Sequence, residues 1–301
     1  MPASRVIFRP LGVKLNMPID LKRSRRVFQK LGREVTKLTR KPAAESVHKF
    51  RTYSRRVEAV LSEVVPEPTR NDKKLLKLLS GLRKKAGRVR DLDVEIASLR
   101  SLKIPGGNGH KSQFVDALVQ ERAKREEKLA KAFDRKTAAK VRKRLKRATS
   151  DLDIPNNAEP LTSTLSKLAK LSPDHAPLTE KTLHQYRIIG KRARYIAELA
   201  NENSEAKRVV EQLKHMQDVI GDWHDWLKLT QKAEKLFGGV RDSALVAMLR
   251  NVTQAKFRQS VDAVAETRAS LFGRKSQVSD DAAAPARKPP AESVNVSAAV
   301  A

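Results

Sequence analysis

Apolar residues recur every three or four positions along most of this chain, which is the spacing of one face of an α-helix. Between residues 43 and 65 they are separated from the charged residues on a helical projection. The apolar side of that stretch holds Phe50, Tyr53, Val57, Val60, Leu61 and Val64. No stretch shows the regular alternation of apolar and polar residues that is typical of strands. The pattern therefore predicts an all-α protein.

Capping residues, prolines and glycines predict where the helices begin and end. Asp20 is placed to cap the first helix, Lys41-Pro42 ends it, and residues 104–110 (IPGGNGH) form the clearest turn. We expect helices at about 20–40, 43–65, 71–87, 91–102, 111–148, 160–171, 179–202, 203–220, 225–237 and 242–272.

The composition of the chain changes at its ends and near its middle. A basic, proline-punctuated extension comes first, and the last residues are rich in Ser, Ala and Pro. Such a tail buries too little apolar surface to offset the entropy of ordering, so we expect it to be disordered. A segment rich in Asp, Asn and Pro near 149–160 is the expected linker between two halves. The expected units are 1–19, 20–272 and 273–301, and the helical unit divides into halves of about 20–150 and 158–272.

Two motifs occur twice in the same order. Residues 48–56 and 184–192 both read His-x-aromatic-Arg-x-x-x-basic-Arg. A Gly-x-x-basic-Asp-apolar motif follows at Gly87 and again at Gly221, after 39 positions (87 − 48) and 37 positions (221 − 184). Nearly equal separations indicate a duplicated unit. We therefore expect two similar halves, each resembling a four-helix bundle.

The polar side of each His-containing helix is almost purely cationic. His48, Arg51 and Arg55 share a face of the first copy. In the second copy the shared face holds His184, Arg187, Lys191, Arg194 and Tyr195. A charged stripe is usually a solvated face, but such faces mix signs because opposite charges one turn apart attract. Two cationic stripes in register favour a binding surface instead.

The overall charge points to the same class of ligand. Lys and Arg outnumber Asp and Glu by 63 to 34, which gives a formal net charge of +29. Charge of one sign repels itself in a compact fold, so we expect a polyanionic partner. The chain has no cysteine, which excludes a disulfide framework and thiolate chemistry. It shows no apolar run near the ~20 residues of a membrane span and no secretory signal, so we expect a cytoplasmic protein without membrane attachment.

The residue types in the stripes narrow the ligand further. Guanidinium groups bind phosphate oxygens through two parallel hydrogen bonds. A helix presents such donors about every 5 Å, which suits a chain of repeated phosphates better than one small anion. A histidine beside phosphates should keep its proton to higher pH. Arg56 and Arg192, at the edge of the stripes, either contact the ligand or pair with carboxylates of neighbouring helices.

Three aspartates raise the question of a metal. Asp91 and Asp93 are spaced so that they are able to hold Mg²⁺ or Ca²⁺. We favour pairing with arginines of the stripe helices, or helix capping, because Leu227 replaces the second Asp of the pair after Asp225. Trp223 and Trp226 we expect in the core.

These duplicated motifs resemble the CHAD (conserved histidine α-helical domain) family over about residues 20–272. The resemblance implies two four-helix bundles related by an approximate internal two-fold axis. It also implies a central basic pore or groove that binds inorganic polyphosphate and recruits many members to polyphosphate granules. We expect no cofactor. With the basic positions of the Gly-containing motif added, the candidate binding residues are His48, Arg51, Arg55, Arg56, Arg88, Arg90, His184, Arg187, Lys191, Arg192 and Arg194.

The second motif and the end of the first stripe depart from strict repetition. Glu58 stands where the second copy has Arg194, and it either weakens the first stripe or tethers a neighbouring arginine. Asp222-Trp223-His224 replaces Arg88-Val89-Arg90, so the halves need not contribute equally.

Three functions fit this charge, and we favour a non-catalytic polyphosphate-binding module. A nucleic-acid binder is the alternative, with the basic run 140–147 as its candidate surface. Aromatic residues make up only 4% of the chain, so platforms for base stacking are few, and binding would depend on phosphates alone. An enzyme acting on phosphoanhydrides is disfavoured because the chain has neither a Glu-x-Glu-x-Lys signature nor a Gly-rich phosphate loop. Phosphate transfer at His48 or His184 stays open.

Overall fold

The computed structural model describes residues 18–40, 43–104, 109–155, 160–171, 177–200 and 204–273. Over these residues the chain consists of helices, turns and short irregular connections, apart from one isolated antiparallel bridge between Ile19 and Ala200. The prediction of an all-α fold is confirmed. The helices are α1 (Leu21–Leu38), α2 (Ala44–Ala59), α3 (Arg70–Ser101), α4 (Gly109–Ala132), α5 (Arg135–Ser150), α6 (Pro160–Ala169), α7 (Glu180–Ala197), α8 (Ser204–Phe237) and α9 (Ala244–Phe272).

Local sequence explains several helix ends. The side chain of Asp20 accepts a hydrogen bond from the backbone N–H of Arg23 at 3.0 Å, as its predicted capping role requires. Thr69 and Asp72 form a reciprocal capping box, so α3 begins at Arg70. A π-helical turn, Val60–Val64, continues α2 toward Pro66. Its extra residue keeps Val60, Leu61 and Val64 on the buried side.

Two of the predicted breaks are wrong, because α3 and α8 each continue through the motif glycine. Gly87 lies inside α3, and Gly221 lies inside α8. A glycine in a helix costs only about 1 kcal/mol relative to alanine. The continuous buried stripe around each glycine outweighs that cost. On α3 this stripe is Leu75, Leu79, Leu82, Ala86, Val89, Leu92, Ile96 and Leu99.

The single helix predicted for 111–148 is also wrong, since the chain breaks between α4 and α5. Asp134 accepts a hydrogen bond from the N–H of Thr137 at 2.5 Å and so caps α5. The break turns Phe133 into the core, where its ring meets that of Phe50 edge-on at 5.0 Å between centroids. No proline or glycine marks this position, and the helical spacing of apolar residues continues across it. The sequence therefore predicted one continuous helix.

Three clusters of buried apolar residues hold the helices together. The first lies among α1, α2, α5 and the first part of α3, and the second among α6, α7, α8 and α9. The third joins the halves, because the end of α3 and the start of α4 pack there against α8 and α9. Its members include Leu92, Leu99, Phe114, Leu229 and Leu245. α9 thus belongs to the same packed unit as the helices before it.

Contacts between α2 and α7 are reciprocal. Arg56 of α2 pairs with Glu198 just after α7, at 2.7 Å between Nη2 and Oε2. Arg192 of α7 pairs with Glu63 after α2, at 3.5 Å. A contact that runs both ways between equivalent surfaces is the pattern of a two-fold interface.

Each half also has a corresponding contact inside it. Arg83 donates to the hydroxyl of Ser54 at 3.1 Å, and Gln217 donates to the carbonyl of Gly190 at 2.8 Å. Both donors lie four residues before a motif glycine, and both acceptors lie six residues after a motif histidine. These correspondences fit an internal duplication, which stays a prediction.

The predicted ends of the domain are described only in part. Ile19 packs against the first two core clusters, and the N–H of Asp20 donates to the carbonyl of Leu199 at 2.8 Å. The end of the N-terminal extension is therefore fixed to the end of α7. Residues 1–17, the linker residues 156–159 and the predicted disordered tail from 274 lie outside the described residues. None of the described helices combines the length and the apolar composition that a bilayer span needs.

The close crossing of α7 and α8 predicts different effects of two glycine substitutions. A Cβ at Gly190 would lie 2.6 Å from Cε of buried Met216, whereas nothing lies within 4 Å of one at Gly221. Both changes to alanine gain the same helix propensity, but only the first requires the buried end of the Met216 side chain to move. We expect Gly190→Ala to be less stable than Gly221→Ala by up to about 1 kcal/mol in urea unfolding, because the thioether of Met216 has to leave its packed position but is flexible enough to do so. Equal stability of the two variants would contradict the crossing.

Candidate functional site

The two cationic stripes meet at the centre of the molecule. α2 packs against α7 and α3 packs against α8, so the stripes and the Gly-containing motifs surround one region. The charge of Arg55 on α2 acts on both Arg187 and Lys191 of α7. We name this set the central basic cluster, and it consists of His48, Arg51, Arg55, Arg90, His184, Arg187, Lys191, His224 and Lys228, with Asp91 and Asp225 among them.

Asp91 holds one arginine of the cluster in place. Its Oδ1 lies 3.3 Å from Nη2 of Arg51, and its Oδ2 lies 3.8 Å from Nζ of Lys228 on α8. The pairing of Asp91 with a stripe arginine is confirmed. Gly87, one turn earlier on α3, faces the Arg51 guanidinium, and a Cβ there would lie at an ordinary van der Waals distance of 3.8 Å from Nη2.

The other aspartates have different surroundings. Burial opposes ionisation of Asp225, but the hydrogen bond from His224 and the charge of Arg187 outweigh it and hold the pKa of Asp225 below its ordinary value. Asp93 pairs with Arg122 of α4 at 2.6 Å, so the expectation of a stripe arginine as its partner is wrong. Both aspartates of the pair, Asp91 and Asp93, therefore form an ion pair with an arginine.

Three cations of the cluster, Arg51, Arg187 and Lys191, are poorly solvated. The side chain of Arg51 is 15% exposed, and burial is the main cause that lowers the pKa of both Arg51 and Arg187. Burial, together with the charges of Arg187, Arg55 and Arg51, lowers the pKa of Lys191 to about 6. At neutral pH this lysine is mostly uncharged.

The motif histidines are also biased toward the neutral form. Burial and the charges of Arg90 and Arg51 lower the pKa of His48. Burial and the charges of His224 and Arg187 lower that of His184. His184 stacks on His224 with ring centroids 5.9 Å apart. Without an anion, like charges around both histidines oppose their protonation.

Two equivalent arginines have buried donors without a hydrogen-bond partner. These are Nε of Arg51 and Nε of Arg187, the Arg of each copy of the first motif. Leaving a buried donor unsatisfied costs about 1–3 kcal/mol, and more when the group is charged. Within the described part of the chain, Arg187, Arg55 and Lys191 form no ion pair with a carboxylate. Donors on both stripe helices, α2 and α7, therefore lack a hydrogen-bond acceptor.

Several of the candidate binding residues have other contacts. Arg56 and Arg192 pair with Glu198 and Glu63, which confirms the alternative that they bind carboxylates of neighbouring helices. Arg194 lies 3.7 Å from the other oxygen of Glu198. The guanidinium groups of Arg56 and Arg194 also lie over the ring of Tyr195.

The remaining candidate positions fall on either side of the cluster boundary. Arg90 lies inside it, whereas Arg88 is exposed at the surface of α3. Tyr195 was predicted on the basic face, but it is buried in the second core cluster, so that placement is wrong. Glu58 accepts a hydrogen bond from Arg83 at 2.8 Å, which is the tethering role that the sequence left open.

Lys228 and His224 were missed by sequence reasoning. His224 stands at the basic position of the second Gly-containing motif, where the first copy has Arg90, and this match was a usable signal. Lys228 lies one turn after His224, outside either motif. Its contact with Asp91 depends on how α3 and α8 pack, which no single-helix pattern reveals.

The comparison with known families agrees with this arrangement. A family model described as the CHAD domain matches residues 24–234. The chain belongs to the CHAD family. The CHAD match begins in α1 and ends in α8, so it includes both stripes and both Gly-containing motifs.

A solved structure shares the CHAD fold of this chain. The crystal structure of the CHAD domain from the plant Ricinus communis superimposes with a TM-score of 0.62 and 18% identity, and the match covers 89% of this chain and 97% of that chain. At this identity the likeness concerns the fold alone. A search of curated proteins finds no match.

The lowered pKa values predict that anion binding takes up protons. A polyphosphate placed in the cluster raises the pKa of Lys191, His48 and His184, because opposite charge favours the protonated form. Protons are then bound between the pKa of the free and of the occupied protein, so affinity falls as pH rises from 6 to 8. Calorimetry of tripolyphosphate binding in buffers of different ionisation enthalpy measures this uptake.

Lys191→Met should remove a large part of the uptake, whereas Lys181→Met on the exposed side of α7 should not. Lys191→Met should also raise the free energy of unfolding at pH 7, because the folded pKa near 6 lies below the unfolded value of 10.5. That gain should shrink as pH rises toward 10.5. Uptake that is unchanged in Lys191→Met would contradict the burial of this ammonium group.

Proposed function

We propose that this protein binds inorganic polyphosphate without catalysis, and that the central basic cluster is the binding site. The observation that carries the proposal is the pair of buried, unpartnered Nε donors of Arg51 and Arg187. Phosphate oxygens are suitable acceptors, because guanidinium–phosphate hydrogen bonds are short and charge-assisted.

The length of the stripes favours a chain of phosphates over a single anion. From His48 to Arg55 a helix rises about 10 Å, and so does the helix from His184 to Lys191. The cations come from α2, α3, α7 and α8, so they flank the centre from both halves. A linear polyanion between the stripes would contact both.

Electrostatics supplies the free energy of binding in this proposal. Five permanent cations, Arg51, Arg55, Arg90, Arg187 and Lys228, share the cluster with only two aspartates, Asp91 and Asp225. Charges of one sign repel more strongly in a partly buried region than in water. A bound polyphosphate converts that repulsion into attraction, and it recharges Lys191 and the histidines.

A role without catalysis is the simplest one for these residues. Surplus cations, unpartnered donors and protonatable histidines all favour an anion, and none of them requires a reacting group. CHAD membership also supports the proposal, because polyphosphate binding is associated with that family. We further propose that the protein is retained at polyphosphate granules in the cytoplasm, because a site for the chain itself concentrates the protein where the polymer accumulates.

Removing the two arginines whose Nε donors lack a partner tests the proposal. In the variant Arg51→Ala, Arg187→Ala, affinity for long-chain polyphosphate should fall at least about a hundredfold. The reason is that each charge-assisted hydrogen bond contributes roughly 1.5–3 kcal/mol. Helix content should be unchanged by circular dichroism, because both side chains lie on the polar side of their helices.

The matched control is Arg26→Ala, Arg258→Ala, which removes the same charge from exposed positions on α1 and α9. It should change affinity by no more than a few-fold. If the two double variants bind equally well, the central basic cluster is not the site.

A further inference from the structure

A second set of cations lines a groove on the outer surface of the first half. The groove lies between α3 and α5, next to the end of α4, and has a volume of about 660 Å³. We name it the α3–α5 groove, and the cations along it are Lys74, Lys77, Lys85, Lys131, Lys140 and Arg144.

Both walls of the groove are almost free of acidic residues. Between Arg70 and Arg88 the only carboxylate on α3 is Asp72, which is buried in the capping box with Thr69. α5 has none between Arg135 and Arg147. The exposed cations of these two helix segments are Arg70, Lys73, Lys74, Lys77, Lys84, Lys85, Arg88, Arg135, Lys136, Lys140, Arg142, Lys143, Lys146 and Arg147.

Most of these charges are not compensated inside the protein. In the described residues, no lysine of α3 or α5 that lines the groove forms an ion pair with a carboxylate. Lys131 does pair, with Glu127 at 2.6 Å, and Arg144 donates to the neutral oxygen of Asn71 at 3.2 Å. A solvated helix face usually gains from mixed signs, so a wall of one sign on each side favours an external polyanion.

The lining favours a ligand that consists of phosphate alone. The other lining residues are Leu78, Gly81, Leu82, Ala132 and Thr137. No aromatic ring is present in the lining on which a base would stack. A phosphate chain needs only the cations.

α3 connects the groove to the central basic cluster. Because α3 does not break at Gly87, Lys74 in the groove and Arg90 in the cluster lie on one rigid helix, about 24 Å apart along its axis. A long phosphate chain is able to contact both places, whereas a short one occupies only one. Joining two sites through one ligand raises the overall affinity without new contacts.

We propose that the α3–α5 groove is a second binding site for long-chain inorganic polyphosphate, separate from the central basic cluster. The identity of the ligand rests on the proposed function, whereas the site rests on the groove itself. This second site makes the protein selective for the length of the polyphosphate chain, since only a long chain engages both sites.

The test is a variant that removes three groove cations, Lys74→Ser, Lys77→Ser and Lys140→Ser. Its affinity for long-chain polyphosphate should fall at least tenfold, and its affinity for tripolyphosphate in the central basic cluster should stay within about twofold. The slope of log affinity against log salt should become shallower by about 2, if each lost phosphate contact counts about 0.7 as for single-stranded nucleic acid.

The matched control carries Lys207→Ser, Lys214→Ser and Lys235→Ser on α8, which are exposed and line neither site. It should change long-chain affinity less than threefold. Equal losses in the two triple variants would overturn the proposal. So would a groove variant that keeps its polyphosphate affinity and loses only binding to duplex DNA, because the groove would then serve nucleic acid.

The same measurements separate this proposal from the proposed function. A loss in the groove variant, with full binding by Arg51→Ala, Arg187→Ala, would support the groove and overturn the central site. A loss in the arginine variant alone would overturn the groove and support the central site.

Discussion

Repulsion among partly buried cations is the constraint on which the rest of this structure depends. α2 and α7 bring Arg51, Arg55 and Arg187 to one region, where Asp91 and Asp225 offset only part of the charge. Two sets of contacts hold the helices together around this region. The third core cluster packs the end of α3 and the start of α4 against α8 and α9, and the reciprocal ion pairs of Arg56 and Arg192 join α2 to α7.

This arrangement explains why the site residues take unusual protonation states. A lysine whose pKa lies near 6 and two histidines with lowered pKa values reduce the charge of the empty cluster. The unpartnered Nε donors of Arg51 and Arg187 mark what remains unsatisfied. Such features lower the stability of the free protein, and they are typical of sites where function is favoured over stability. An anion that supplies acceptors and negative charge corrects all of them together.

The features that depend on a single helix were predicted correctly from the sequence. The features that depend on how two helices pack were not. Periodicity placed Phe50 and Val57 in the core and Arg51 on the opposite side, because burial follows the helical repeat. It ended helices at Gly87 and Gly221, since the packing that outweighs a glycine is not visible locally. It also missed the break at Asp134 and the contact of Lys228 with Asp91, which depend on neighbouring helices. Tyr195, predicted on the basic face, packs into the second core cluster with the guanidinium groups of Arg56 and Arg194 over its ring.

The most direct test of the central claim is a competition binding assay with the full chain at physiological salt. Long-chain polyphosphate, tripolyphosphate, duplex DNA and single-stranded RNA would compete for the same labelled protein. The account predicts that long-chain polyphosphate displaces the others at the lowest phosphate concentration, because the stripes provide donors for repeated phosphates and no means of binding bases. Equal or tighter binding of DNA or RNA would contradict it, and would leave the CHAD fold with a general affinity for polyanions.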